Sequence, residues 1–244
     1  MCKEFVMSLK RFIYRIFNKE YLLSSEDYAK WLRNRGVRIG QNLQIMHLGY
    51  GRTPTIDLTR PSLVDIGDNV LLHRNFTLLT HDFVTRRFLE KYDDFIPSSG
   101  KVKIGNNVSF GMDCTVLKGV TIGDNCYIGA GSIVTKDIPS DSVAVGRPAK
   151  VVCTIADYYE RRKKECINEA FEYARSIKEK LGRNPLPSDF KEEFVLFVDS
   201  RNIEQYLELI PIKKQLGVHY EKWLETHKAQ FDGFEEFLAE AGVL

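Results

Sequence analysis

A three-sided parallel β-helix with helical flanks is the fold class this sequence predicts. Three observations predict it: apolar residues recur strictly every six positions through the middle of the chain, glycine stands beside many of them, and after Val152 the glycine spacing disappears and helix formers dominate. Counting in sixes from Ile104 meets Phe110, Val116, Ile122, Ile128 and Val134, an unbroken apolar series in a chain whose apolar fraction is 43%. Glycine follows at Gly105, Gly111, Gly123 and Gly129, and the fifth position of each hexad is small or aliphatic (Val108, Cys114, Val120, Cys126, Ser132, Ile138). A second block, Ile66, Leu72 and Leu78, keeps the same spacing with Val70 and Phe76 at the fifth position, and Ile39, Gly40 and Leu43 form a weaker trace. A helix repeats every 3.6 residues and a simple strand every two, so neither produces this pattern. Three hexads per coil do: each side is a short strand with one side chain inward, and successive coils stack at the strand-pairing distance of about 4.8 Å. Glycine is expected at the corners, where the backbone geometry is special.

The elements follow in order. Residues 1–19 mix Phe5, Leu9, Phe12, Ile16 and Phe17 with Lys3, Lys10, Arg11, Arg15 and Lys19, an amphipathic basic helix expected to pack on its own prism or to touch an anionic membrane surface. A second helix over 25–35 begins at Ser24 and Ser25 with Glu26 and Asp27 at its positive end. Residues 1–36 are thus an N-terminal helical segment, 37–153 the solenoid, and 154–244 an α-helical extension with helices over 157–181, 188–198, 203–210 and from His219 to the end. Phe194, Phe197, Tyr206, Trp223, Phe234 and Phe237 are candidates for a small second core. The clock breaks between Leu78 and Ile104, and the interruption at 82–100 reads as a loop extruded from the prism and available to a binding face.

Composition excludes several classes. The net charge is +2, and the three segments carry about +4, +2 and −4, without the basic density of a nucleic-acid binder. No apolar run approaches the roughly 18 residues of a membrane span, and the N-terminal stretch lacks the pattern of a cleaved secretory signal. Five cysteines without a CxxC argue against a disulfide framework and for a reducing cytoplasm.

The segment NVSFGMDCTVLKGVTIGDNCYIGAGSIVTKDIPSDSVAVGRPAKVV, 107–152, resembles the closing coils of the hexapeptide-repeat acyltransferases, which include galactoside, maltose, serine, xenobiotic and polysaccharide acetyltransferases; its most specific pieces are GAGSIVTKDIP and VGRPAK. The resemblance implies a left-handed parallel β-helix, a homotrimer with active sites between neighbouring prisms, and acetyl-CoA as donor. It implies that Gly111, Met112 and Ala130 meet the pantetheine arm, Thr135 and Lys136 the adenine end, and Arg147 and Lys150 the phosphates of coenzyme A. Ser109 departs from it, standing where many relatives have tryptophan.

Transfer of an acetyl group to a hydroxyl needs a base, and a neutral histidine suits the operating pH. Of His47, His73, His81, His219 and His227, His81 stands at the root of the extruded loop and matches the position of the family's catalytic histidine. Asp65 precedes it by close to one coil of three hexads and is the first candidate to orient it; Asp82 and Asp57 are the others. A backbone N–H or Asn75 is the candidate oxyanion donor, and Asn75, Asp82, Arg86 and Arg87 are candidate acceptor contacts. No metal is expected: zinc chemistry on this fold needs three histidines, two of them at about a five-residue interval, whereas His73 and His81 are eight apart and 101–150 holds none.

The sequence therefore points to a cytoplasmic acetyl-CoA-dependent O-acetyltransferase acting on a sugar or surface-polysaccharide hydroxyl. An N-acetyltransferase of an amino sugar or nucleotide sugar, or a xenobiotic acetyltransferase, is the alternative within the enzyme class. A non-catalytic trimeric scaffold is the alternative outside it.

Overall fold

The computed structural model describes residues 24–46 and 54–244; the amphipathic segment expected at 1–19 and His47 lie outside them. The chain divides into two compact units, the first running to Tyr158 and the second from Tyr159 to Leu244.

In the first unit, short strands follow the hexad clock. The first coil is β1 (Arg38–Ile39), β2 (Gln44–Ile45) and β3 (Thr55–Ile56); the second is β4 (Val64–Ile66), β5 (Leu71–Leu72) and β6 (Thr77–Leu78). The third is β7 (Val102–Ile104), β8 (Ser109–Phe110) and β9 (Thr115–Val116), and the fourth β10 (Thr121–Ile122), β11 (Tyr127–Ile128) and β12 (Ile133–Val134). Each strand pairs in parallel with its counterpart one coil on, giving three sheets: β1-β4-β7-β10, β2-β5-β8-β11 and β3-β6-β9-β12. The second sheet is extended by β13 (Ser142–Gly146), which is parallel to β11, and closed by the antiparallel β14 (Ala149–Thr154). The register is direct, with Thr115–Val116 against Ile133–Val134.

The inward residues form one column. Ile104, Phe110, Val116, Ile122, Ile128 and Val134 are each at most 1% exposed, and Phe76 meets Phe110 edge to face at 4.8 Å. Burying each such side chain contributes about 1.5–3 kcal/mol. The open end of the column is covered by α1 (Ser25–Arg33), which buries Tyr28, Ala29 and Leu32 in the same core. Ser24 caps it, its hydroxyl accepting from Asp27 N at 3.1 Å. Tyr28 Oη donates to the Pro54 carbonyl at 2.8 Å, and Arg33 Nε to the Ile39 carbonyl at 3.1 Å.

The glycine that follows the inward residue of a hexad has a different job from the one expected of it. Gly105 has an ordinary backbone, and a Cβ there would lie 2.7 Å from the Gly123 carbonyl carbon of the next coil, so glycine is required by close stacking. Glycine does stand at left-handed positions elsewhere, as Gly119 and Gly131 do, but one column of such corners belongs to Asn69, Asn107, Asn125 and Asp141, with φ of 54–58°. Their side chains form a ladder up the prism: Asn69 Nδ2 donates to Asn107 Oδ1 at 3.0 Å, Asn107 to Asn125 at 2.9 Å, and Asn125 to Asp141 at 2.9 Å. Short polar side chains tolerate this conformation and bond locally within it.

The interruption is where the clock places it. Leu78 pairs with Val116, far beyond the three hexads that separate paired residues elsewhere, so the surplus chain leaves the prism. It includes a helix, α2 (Thr85–Tyr92), where the sequence predicts only loop. The element α3 (Ile155–Leu181), most of which belongs to the second unit, is one long helix. The helices expected over 188–198 and 203–210 are instead short 3₁₀ turns at Pro187–Asp189, Glu193–Leu196 and Ile203–Gln205. The segment after His219 divides into α5 (Tyr220–Thr226) and α6 (Phe234–Glu240), preceded by α4 (Ile212–Leu216). Phe190, Phe194, Phe197 and Phe237 are fully buried at the centre of this unit, and packing of their rings outweighs the local helix propensity. Among the described residues no helix is long and apolar enough to cross a membrane.

Ile122→Ala leaves a cavity in the column and is expected to lower stability by about 2–5 kcal/mol. Thr121→Ala, one residue away and facing out, should change it by less than about 0.5 kcal/mol. Denaturant midpoints of the two variants check this.

Candidate functional site

The site is built where the chain leaves the prism. After β6, Thr80 is buried and His81 pairs with Ser99 across the base of the loop. Gly100 N donates to the Thr80 carbonyl at 2.9 Å, and Ser98 Oγ to Asp82 Oδ2 at 3.1 Å. Lys118 Nζ forms an ion pair with Asp82 Oδ2 at 2.8 Å and also reaches Ser98 Oγ. The loop therefore begins and ends at a tied neck, with His81 in it.

His81 is held from behind by a carboxylate. Its Nδ1 lies 2.5 Å from Asp57 Oδ2, and Thr59 Oγ1 lies 3.1 Å from the same nitrogen. Asp57, only 8% exposed, accepts from Thr59 N and Oγ1 on one oxygen at 3.0 and 2.7 Å. Its other oxygen accepts from Thr80 N and Oγ1 at 3.0 and 2.6 Å. Burial alone would raise the Asp57 pKa, but the bonds from Thr80, Thr59 and His81 outweigh it and hold the carboxyl far below the usual carboxylate range. An ionised Asp57 keeps the proton of a neutral ring on Nδ1, which leaves the Nε2 lone pair available as a base.

Asp57, not Asp65, is the carboxylate on His81. Asp65 lies on β4, in a different sheet, where Arg38 Nε and Nη2 donate to it at 2.8 and 2.9 Å and Lys101 Nζ sits at 2.5 Å. Burial opposes ionisation there, and the two cations overcome it and lower the pKa. Counting back by one regular coil misses Asp57 because the stretch from Ile56 to its partner Leu78 exceeds three hexads, extended by the turn at Pro61–Leu63. The hexad spacing does not single out Thr59 or Thr80; the signal for Thr59 is its place two residues after an aspartate, the spacing of a side-chain turn.

A cavity of about 550 Å³ opens between this pair and the loop. Its wall includes Arg60, His81, Phe83, Arg86 and Phe95. The Phe83 ring meets the imidazole at 5.1 Å between centroids, 71° from parallel. Of the candidate acceptor contacts, Arg86 and Asp82 line the cavity. Lys118 holds Asp82 below its ordinary pKa and binds it into the neck. Arg87 turns to Glu90, at 2.8 Å. Asn75 sits at a left-handed corner, φ 60°, donating to Asp113 Oδ1 at 2.6 Å.

The candidate coenzyme contacts flank the sheet that carries β6. At one of its corners a Cβ on Gly111 would meet Ala130 N at 2.5 Å. There Gly131 N donates to the Met112 carbonyl at 2.7 Å, and Arg147 Nε to the Gly131 carbonyl. Arg147 and Lys150 stand exposed on the β13–β14 hairpin. Thr135 and Lys136 follow β12 at the opposite corner, the one His81 occupies two coils earlier. Ser109 lies on β8, half-buried and paired with Leu71.

Residues 101–136 match the family model for the bacterial transferase hexapeptide (six repeats). Over this stretch the chain is similar to hexapeptide-repeat acyltransferases. Galactoside O-acetyltransferase of Escherichia coli (strain K12) is 42% identical over 121 residues, 50% of this chain and 55% of that protein; the chain thus spans about half the length of this relative. Among solved structures, a maltose O-acetyltransferase from Clostridium difficile 630 is 28% identical, over 61% of this chain and 88% of that one, with a TM-score of 0.39. A galactoside acetyltransferase in complex with coenzyme A is 39% identical, over 52% of this chain and 58% of that one, with a TM-score of 0.37.

Because the folded pKa of Asp57 is depressed, the stability it contributes is complete above its unfolded value near 3.9 and is lost as pH falls from there through the folded value. Asp57→Asn is expected to cost about 1–3 kcal/mol at pH 7, with the difference from the unaltered protein narrowing at pH 3. Denaturation at the two pH values measures this.

Proposed function

We propose that this protein is an acetyl-CoA-dependent O-acetyltransferase that esterifies a hydroxyl of a saccharide, with His81 as general base. The observation that carries this reading is the 2.5 Å contact of His81 Nδ1 with a buried, fivefold hydrogen-bonded Asp57 at the wall of a cavity of about 550 Å³. His81 Nε2 takes the proton as the acceptor oxygen attacks the thioester carbonyl, and Asp57 stabilises the imidazolium that forms. When the C–S bond breaks, His81 returns that proton to the departing sulfur, so that acetyl ester and free CoA thiol are the products. Exposed Arg147 and Lys150 are suited to the phosphates of the donor, and the backbone of Gly111, Met112 and Ala130 to its pantetheine arm. The similarity to galactoside O-acetyltransferase supports both the donor and a sugar acceptor.

In this reading the coils wind with a left hand and three copies assemble with their sites between neighbouring prisms. The loop supports such an assembly: Phe83, Tyr92 and Phe95 are 74, 62 and 66% exposed, an unusual apolar display for a lone subunit.

His81→Ala is expected to lower turnover, followed as CoA thiol release in the presence of saccharide acceptors, by about 10²–10⁴ without changing the oligomeric state. Turnover within a few-fold of the unaltered protein would remove His81 from the reaction. Absence of thiol release from the unaltered protein with every acceptor would favour the scaffold.

A further inference from the structure

The charge on the cavity wall bears on which saccharide fits. Arg60 and Arg86 both line it together with His81. The two carboxylates nearby are already matched: Asp57 is buried behind the histidine, and Asp82 is paired with Lys118. Arg86 is exposed, and among the described residues its guanidinium has no acidic partner, unlike its neighbour Arg87. Arg60 is half-buried, and among the described residues its guanidinium donates to Thr59 Oγ1 alone, at 3.4 Å, a hydroxyl that itself donates to Asp57. The cavity also includes Thr85, whose Oγ1 is closed to solvent and, among the described residues, without a hydrogen-bond partner. Phe83 and Phe95 supply apolar surface beside these groups.

We infer that the acceptor is an anionic saccharide, one bearing a carboxylate, whose charge is met by Arg60 and Arg86 while His81 addresses a neighbouring hydroxyl. The inference rests on the transferase reading of this cavity. A guanidinium matches a carboxylate with two parallel N–H···O bonds, and in a partly enclosed site such a pair discriminates strongly against a neutral analogue. A solvated arginine face would have no reason to converge on the base histidine from two separate segments, one before β4 and one on α2. The phosphates of coenzyme A are a second source of anionic oxygen for the same groups, and the test separates the two.

The probes are methyl β-glucuronide, methyl β-glucoside and CoA, titrated calorimetrically into the full-length His81→Ala protein, so that binding is read without turnover. The glucuronide should bind at least tenfold tighter than the glucoside. Arg60→Gln and Arg86→Gln, each placed in that background, should weaken glucuronide by about 10- to 100-fold and leave glucoside and CoA unchanged. Arg86→Lys, which keeps the charge but not the fork, should retain part of the preference, and unchanged denaturant midpoints exclude misfolding. Equal affinity for the two glycosides, no measurable glucuronide binding, or a loss confined to CoA would each overturn the inference. In the active protein, acetylation of the glucoside as fast as the glucuronide overturns the anionic acceptor but leaves the transferase intact. Glucuronide binding without any thiol release would instead overturn the transferase reading.

Discussion

Each coil of the prism must set its apolar residue directly above the one below, and the rest of the molecule answers to that register. Ile104 over Ile66, Val116 over Leu78 and Ile128 over Phe110 leave no interior volume for an added side chain. The extra chain between β6 and β7 can go only outward. The pairing then resumes as if nothing had intervened, with Gly100 bonded to Thr80 across the gap. The residue at the point of departure is thereby fixed between a rigid wall and a tied loop. His81 is that residue.

A second constraint makes the position chemically useful. A carboxylate as buried as Asp57 would ordinarily favour its neutral form, and an uncharged acid there could not direct the tautomer of the ring. Two hydroxyls and two backbone N–H groups, all from Thr59 and Thr80, keep it ionised. Thr80 belongs to the strand end that carries His81, and Thr59 to the turn that carries Asp57. The pair is thus assembled by stacking one coil on another, and its histidine lies where the loop leaves the prism, at the wall of the cavity. Preorganisation of this kind is inherited from the solenoid rather than from flexible loop contacts.

The solenoid is legible because inward positions accept only apolar residues, so the period survives in the letters from Ile104 to Val134. The departure of the loop is legible for the same reason, and with it His81. Asp57 is not, because the turn at Pro61–Leu63 displaces it from the three-hexad count, while Asp65, on another sheet, stands close to the expected distance. Helix α2 is hard to read because Val84 stands at its start and offers no side-chain cap. The C-terminal unit is less helical than its letters suggest, since its turns follow the packing of Phe190, Phe194 and Phe197 rather than propensity. Many left-handed corners are visible as asparagine or aspartate and a few as glycine (Gly119, Gly131), whereas the glycine beside the inward residue, as at Gly105, has a steric role instead.

The central claim is that Asp57 fixes the imidazole of His81 with its proton on Nδ1 and its basic nitrogen toward the cavity. Nitrogen-15 NMR of the ring, in protein labelled at histidine and assigned with the His81→Gln variant, reads this directly. The account predicts, for the neutral ring, a protonated Nδ1 with its proton shifted far downfield and an unprotonated Nε2, and loss of that signature in Asp57→Asn. A neutral ring carrying its proton on Nε2, or a spectrum indifferent to Asp57, would contradict it.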